Sequence, residues 1–272
     1  MNARLWIAMA ALGALLLGQD SASDHITVPF RDPSKPRSLV INLVNGSVKV
    51  TGYDGKDAIF DATPRSALRR DRRPSNVPDG MHRIDNPGGG LSLEEDNNVI
   101  KVTGGIFGSE NITVQVPMQT SINIRTVNGG NVAIENISGE IDVNNVNGGI
   151  SITNASGSVL ANSQNGKITV SLNKVTPDKP MSFSAFNGVV DVTLPADIKA
   201  NVRMKTNNGQ IWSDFDVKLD ASKSSPSVAE PLPGFGGRYR IQLDRAVYGA
   251  INGGGPEIQF TTFNGNILIR KK

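Results

Sequence analysis

Five arginines fall within one short stretch, at Arg65, Arg69, Arg70, Arg72 and Arg73, with Asp71 as the only opposing charge. Guanidinium groups are planar, permanently charged and donate in forked pairs, so such a run suits phosphate or carboxylate oxygens. The expected partner is an anionic envelope component, a polysaccharide or lipid headgroup, and a solvated basic loop is the alternative. Nucleic acid is not expected, because no aromatic residues interleave with the arginines and no recognition helix accompanies them. The charge is also local: 28 Lys and Arg against 25 Asp and Glu leave a net +3 over 272 residues.

The acidic residues offer a second kind of chemistry. Glu94, Glu95 and Asp96 precede Asn97-Asn98, while Asp142 and Asp191 occupy outward positions of alternating segments. Glycosidic cleavage uses two carboxyl groups facing each other across a sugar, and β-elimination of uronates usually needs a base with cationic support. Nothing in linear order brings these acids together. No G-x-S-x-G motif supplies a nucleophilic serine. The Gly88-Gly89-Gly90 and Gly253-Gly254-Gly255 runs lack the lysine and following helix of a phosphate loop. With no cysteine and only His25 and His82, thiol catalysis, thiolate zinc and iron–sulfur sites are ruled out, and no cofactor or metal is expected. Trp212, beside Ile211 and Phe215, reads as covering or capping the core.

The elements that must carry these residues announce themselves through turns. Asn128-Gly129, Ser138-Gly139, Asn147-Gly148, Ser156-Gly157 and Asn165-Gly166 are separated by short segments such as Ile141/Val143, Ile150/Ile152 and Ile168/Val170. Their period of two marks strands with one apolar and one polar face. Asn-Gly between alternating runs is also a hairpin signal, so an antiparallel meander is one reading. The alternation of Asn-Gly with Ser-Gly favours another. Two strands and two different turns make one coil, and stacked coils place like residues above like. An all-β, single-stranded β-helix (β-solenoid) of parallel short strands is therefore predicted, with asparagines stacked along its axis. Asn187-Gly188 and Asn208-Gly209 continue the series through longer units. Phe183 and Met204 then belong to the core.

Residues 5–17 are apolar or small and Ser21-Ala22-Ser23 follows, the layout of a signal peptide over 1–22. The apolar run is short for a membrane span. Residues 23–272 form the expected domain, with early, less regular coils from Leu39 onward and a return of the theme at Asn264-Gly265. Residues 61–90 and 220–237, rich in Pro, Gly, Ser and charge, read as loop insertions.

Four stretches, VNGSVKVTGYDGKDAIF at 44–60, VNGGNVAIENISGEIDVNNVNGGISITNASG at 127–157, LPADIKANVRMKTNNGQI at 194–211 and GGGPEIQFTTFNGNILIRK at 253–271, resemble the bacterial putative-adhesin family, a domain of unknown function. The resemblance implies an exported or envelope-associated β-helix, in the periplasm, on the surface or secreted. It supplies no catalytic residues to transfer. The preferred function is noncatalytic binding or structural work with an envelope polysaccharide, an anionic lipid headgroup or a surface protein. A carbohydrate-active lyase or hydrolase on a β-helix is the alternative.

Overall fold

A computed structural model describes residues 24–32, 34–64, 91–104, 110–176, 178–224, 227–228, 241–242 and 246–272. The alternation read from the sequence is the burial pattern seen. In the strand Ile168–Val175, Ile168, Val170 and Leu172 are buried and the residues between them are not. Almost all of the ordered structure is strand, and 19 strands join one continuous, mostly parallel sheet. The sheet bends at the Asn-Gly corners into two faces whose inward side chains form one apolar cluster. The architecture is solenoid-like.

On the first face, Thr120–Glu135 contributes its N-terminal half and pairs in parallel with Ile141–Asn147, which pairs with Val159–Asn165, then Met181–Asn187. The second face repeats this with the C-terminal half of Thr120–Glu135, then Ile150–Gly157, Ile168–Val175 and Val190–Leu194. Each rung thus spends one strand on each face, which is why two kinds of turn alternate in the sequence. Successive rungs lie about 4.8 Å apart, the spacing that backbone hydrogen bonding imposes. Among the largest buried groups, Phe183 and Phe260 stack between rungs with centroids 5.5 Å apart.

Chain order and stacking order part company at both ends. Arg37–Tyr53 lies between the strands of 99–117 and Thr120–Glu135, in parallel with both. Glu257–Asn264 and Ile267–Lys271 insert between 181–194 and 200–213. A simple sequential stack, as the turn spacing suggests, holds only in the middle. Both ends also depart from the expected parallel pairing. Asp57–Pro64 runs antiparallel to Asp24–Pro29 and to Glu110–Pro117, and Val247–Ile251 runs antiparallel to Ala200–Asn208 and Val217–Leu219. These strands cover rung edges that would otherwise present unpaired backbone groups. The strand to Pro64 also enters the stretch from residue 61 read as loop, because residues 61–64 complete the ladder with residues 110–113. The Glu94–Asp96 run leads into a hairpin turn in which Asn97 and Asn98 take φ of 51° and 63°, values asparagine tolerates well.

The corners are held by two columns of polar side chains. Outside, Asn147 donates to Asn128 (3.2 Å), Asn165 to Asn147 (3.0 Å), Asn187 to Asn165 (2.8 Å), Asn264 to Asn187 (2.8 Å) and Asn208 to Asn264 (2.8 Å). Inside, the Ser163, Thr262 and Thr206 hydroxyls donate to the carbonyls of Gly148, Gly188 and Gly265, so these three inward hydroxyls are satisfied. Glycine follows asparagine because the next rung is too close for a side chain. A Cβ on Gly166 would sit 2.1 Å from the Gly148 carbonyl oxygen, and Gly148 additionally holds φ at 142°.

Candidate functional site

The period-two strands project three outward columns from the first face, and the two nearest the asparagine ladder border an open groove. Arg125 and Val127, Asn144 and Val146, Asn162 and Gln164, Ser184 and Phe186, Thr261 and Phe263, and Asn207 line it, and its volume is about 630 Å³. Each rung supplies its residues two positions apart on one strand, so the groove crosses the rungs and runs along the stacking axis. The register explains the juxtaposition: Asn162 sits beside Asn144 and Ser184, and Thr261 beside Ser184 and Lys205.

Phe186 and Phe263 are the prominent apolar feature. Their rings lie 4.9 Å apart and within 5° of parallel, yet they are 50% and 40% exposed. They come from distant parts of the chain and meet because the rung 257–271 inserts next to 181–194. Stacking lowers the cost of leaving aromatic surface in water and holds both rings in one orientation. Around them the lining is amides and hydroxyls, each able to donate and accept. Asp142 accepts from Asn144 at 3.0 Å and from Asn123 at 3.3 Å. That contact holds the Asn144 amide from the neighbouring outward column. Arg125 supplies the lining's charge.

The second face has a different chemistry. Asp191 accepts from Arg270 at 2.8 Å and from Lys167 at 3.1 Å. Burial pushes its carboxyl up, but the hydrogen bonds from Arg270 and Lys167 and their charges outweigh this, holding it below its ordinary value. Arg270 is shifted up, first by its hydrogen bond to Asp191 and also by the charge of Asp191 and of Asp214. A general acid at neutral pH needs the opposite shift. The arrangement is suited to clamping three rungs, since Lys167, Asp191 and Arg270 belong to consecutive layers.

The acids read from the sequence are therefore dispersed. Asp142 stands in the outward column beside the groove, Asp191 lies on the other face, and Glu95 accepts from the Asn98 backbone amide in the hairpin at one end. Among the described residues no group of three or more His, Cys, Asp or Glu is placed to hold a metal ion. Phe183 and Met204 are buried core, while Trp212 is 57% exposed on the second face in the layer next to Leu268. Arg65, Arg69, Arg70, Arg72 and Arg73 lie outside the described residues, as does the 1–22 segment. No helix among the described residues is long and apolar enough to cross a membrane. Sequence reasoning missed Phe186 and Phe263, although a signal exists: Phe-Asn-Gly occurs at both 186–188 and 263–265.

The family model described as Toastrack DUF4097, a domain of unknown function, matches residues 126–230, a stretch that carries much of the groove. No curated protein matches the chain. Among solved structures, a putative cell adhesion protein from Clostridium sporogenes is 10% identical over 92% of this chain and 100% of its own, with a TM-score of 0.46. A putative adhesin from Bacteroides fragilis is 11% identical over 93% of this chain and 99% of its own, with a TM-score of 0.28. Over residues 126–230, the chain is thus similar to Toastrack DUF4097.

Proposed function

We propose that this chain is an exported, noncatalytic β-solenoid of the cell envelope that binds an extended polysaccharide along the first face. The observation that carries the reading is the axial groove, in which exposed, stacked Phe186 and Phe263 adjoin Asn144, Asn162, Gln164, Ser184 and Thr261. Amides and hydroxyls pair with sugar hydroxyls, and the exposed aromatic pair offers apolar surface for the C–H groups of a sugar. Their repetition at rung spacing suits a ligand that is itself a repeating chain. Export rests on the 1–22 segment. The arginine insertion at 65–73 would add a second, charge-driven contact with an anionic glycan or lipid headgroup.

The test is a panel of neutral and acidic polysaccharides against purified 23–272, measuring binding and product release together. Specific binding without turnover is expected. The Phe186→Ala/Phe263→Ala protein should bind about tenfold or more weakly, the effect of removing a central aromatic contact, with its thermal stability reported alongside. Unchanged affinity in that folded variant would move the ligand off the groove. Released products would instead favour a lyase or hydrolase. Replacing Arg69, Arg70, Arg72 and Arg73 with serine should reduce retention on anionic surfaces at low salt, where the screening length is about 10 Å at 0.1 M. Unchanged retention and salt dependence would leave that insertion a solvated loop.

A further inference from the structure

The asparagine ladder sets an order of chemical lifetimes among its own members. Asn-Gly is the dipeptide in which the backbone nitrogen of glycine reaches the asparagine Cγ with least obstruction. That nitrogen loses its proton to solvent base and attacks Cγ, the amide nitrogen leaves as ammonia, and a succinimide closes. Water then opens the ring to aspartate or isoaspartate. For this to happen, the asparagine side chain must leave its hydrogen bonds and the glycine N–H must leave its acceptor.

In the interior of the ladder both are held. Asn147, Asn165, Asn187 and Asn264 each donate through Nδ2 to one neighbouring rung and accept through Oδ1 from the other. The glycines that follow them are tied too. The N–H groups of Gly148, Gly166, Gly188 and Gly265 donate to the backbone carbonyls of Asn165, Asn187, Asn264 and Asn208, at 2.9 to 3.0 Å. At the last rung the pattern runs out. Asn208 donates to Asn264, but among the described residues nothing donates to its Oδ1 and the Gly209 N–H has no acceptor. Both residues are exposed.

We propose that Asn208, at the C-terminal end of the ladder, is a deamidation site, and that stacking on both sides protects the interior members Asn147, Asn165, Asn187 and Asn264 against the same reaction. Closure at Asn208 opens one side-chain hydrogen bond, whereas closure at an interior position opens two and a backbone bond as well. The two additional bonds correspond to a rate difference of about tenfold or more. Off the ladder, Asn252 precedes Gly253, but its Nδ2 donates to the carbonyls of both Ala196 and Ile198, so it is anchored more firmly than Asn208. Modification at Asn208 replaces a donor with a carboxylate facing the Asn264 carbonyl oxygen. In the isoaspartate form it also lengthens the backbone beside Asn207, at the end of the groove.

Purified protein aged at mildly alkaline pH, sampled over time and analysed by peptide mass spectrometry with isoaspartate detection, tests this. A parallel sample in urea reports each site without the ladder. In the native protein Asn208 is expected to convert about tenfold or more faster than Asn147, Asn165, Asn187, Asn264 or Asn252, and in urea that lead should disappear. Conversion of any of those five sites as fast as Asn208 in the native protein would overturn the proposal. So would a lead for Asn208 that persists undiminished in urea, since local sequence rather than stacking would then set the order.

Discussion

From residue 120 to residue 194 the chain lays down rungs in the order it is written, while the rungs at 37–53 and 257–271 are each inserted between two others. The middle needs contacts only between neighbouring coils. The inserted rungs need partners far away in sequence: Asn187 meets Asn264 across 77 residues, and Asn208 meets Asn264 across 56. Local repeats can nucleate anywhere and propagate, whereas non-local pairings pay a loop-closure entropy before any contact rewards them. The two regions share one core and one set of side-chain columns, so they differ in how they are assembled rather than in what holds them.

The severest way to break the comparison is to remove residues 256–272. This takes a rung out of the interior, leaving Phe183 without its Phe260 partner and 200–213 without its parallel neighbour. Loss of cooperative folding in the C-terminal half is expected, with amide protection lost from 181–213 and retained around 120–175, read by hydrogen exchange. Equal protection throughout would mean that the inserted rung is dispensable.

A single substitution in the regular region ranks next. Ile152 is fully buried, and placing a carboxylate there combines lost burial of about 1.5–3 kcal/mol with the cost of an unpaired charge in the core. Ile152→Asp should therefore lower stability by several kcal/mol. Its neighbour Ser151 is exposed, so Ser151→Asp should stay within about 0.5 kcal/mol. Thermal melts of the pair check the two faces directly.

Glycine substitutions sharpen the contrast between interior and end. A Cβ on Gly166 meets the backbone of the rung below at 2.1 Å, and a Cβ on Gly209 meets that of Gly265 at 1.9 Å. Gly166 is fixed by rungs on both sides, while Gly209 lies in the last parallel rung and can move away. Gly166→Ala should cost about 1–3 kcal/mol and Gly209→Ala less, as chemical denaturation would show.

The smallest expected effect is on the clamp that binds the inserted rung to the regular stack. The Asp191 carboxyl is held below its ordinary value of 3.8, so its contribution is complete above that value and is lost as acid titrates through the lowered one. Arg270 and Lys167 are half exposed, which limits the gain to about 1 kcal/mol. Asp191→Asn should be less stable than the parent near neutral pH, and the gap should narrow as pH falls below 3.8. A constant gap would assign the effect to packing.

Much of the middle was legible in the residues. Ile150 and Ile152 face inward, Phe183 and Met204 are core, and the asparagines stack, because a period of two and a two-turn repeat leave few other ways to bury one face. The order of the rungs was not legible. The register within a rung is local information, but any inward pair such as Ile258 and Phe260 fits above any other, so nothing near 257–271 says which rungs flank it. The groove was hidden for a related reason. Its residues come from separate strands, and outward positions are free of the burial constraint that makes inward ones recognisable. Phe186 and Phe263 resemble ordinary strand phenylalanines until the insertion brings them face to face.

The inserted C-terminal rung also governs how the molecule carries load. A strand at the edge of a stack peels away one hydrogen bond at a time, since tension concentrates on the bond nearest the pull. The strand Ile267–Lys271 is flanked on both sides by parallel partners, Val190–Leu194 and Ile211–Ser213. Tension applied at Lys272 along the strand meets the ladder with Val190–Leu194 first, at Lys271, and the ladder with Ile211–Ser213 from Ile269 inward. The rung 257–271 is thus fastened inside the stack on both sides.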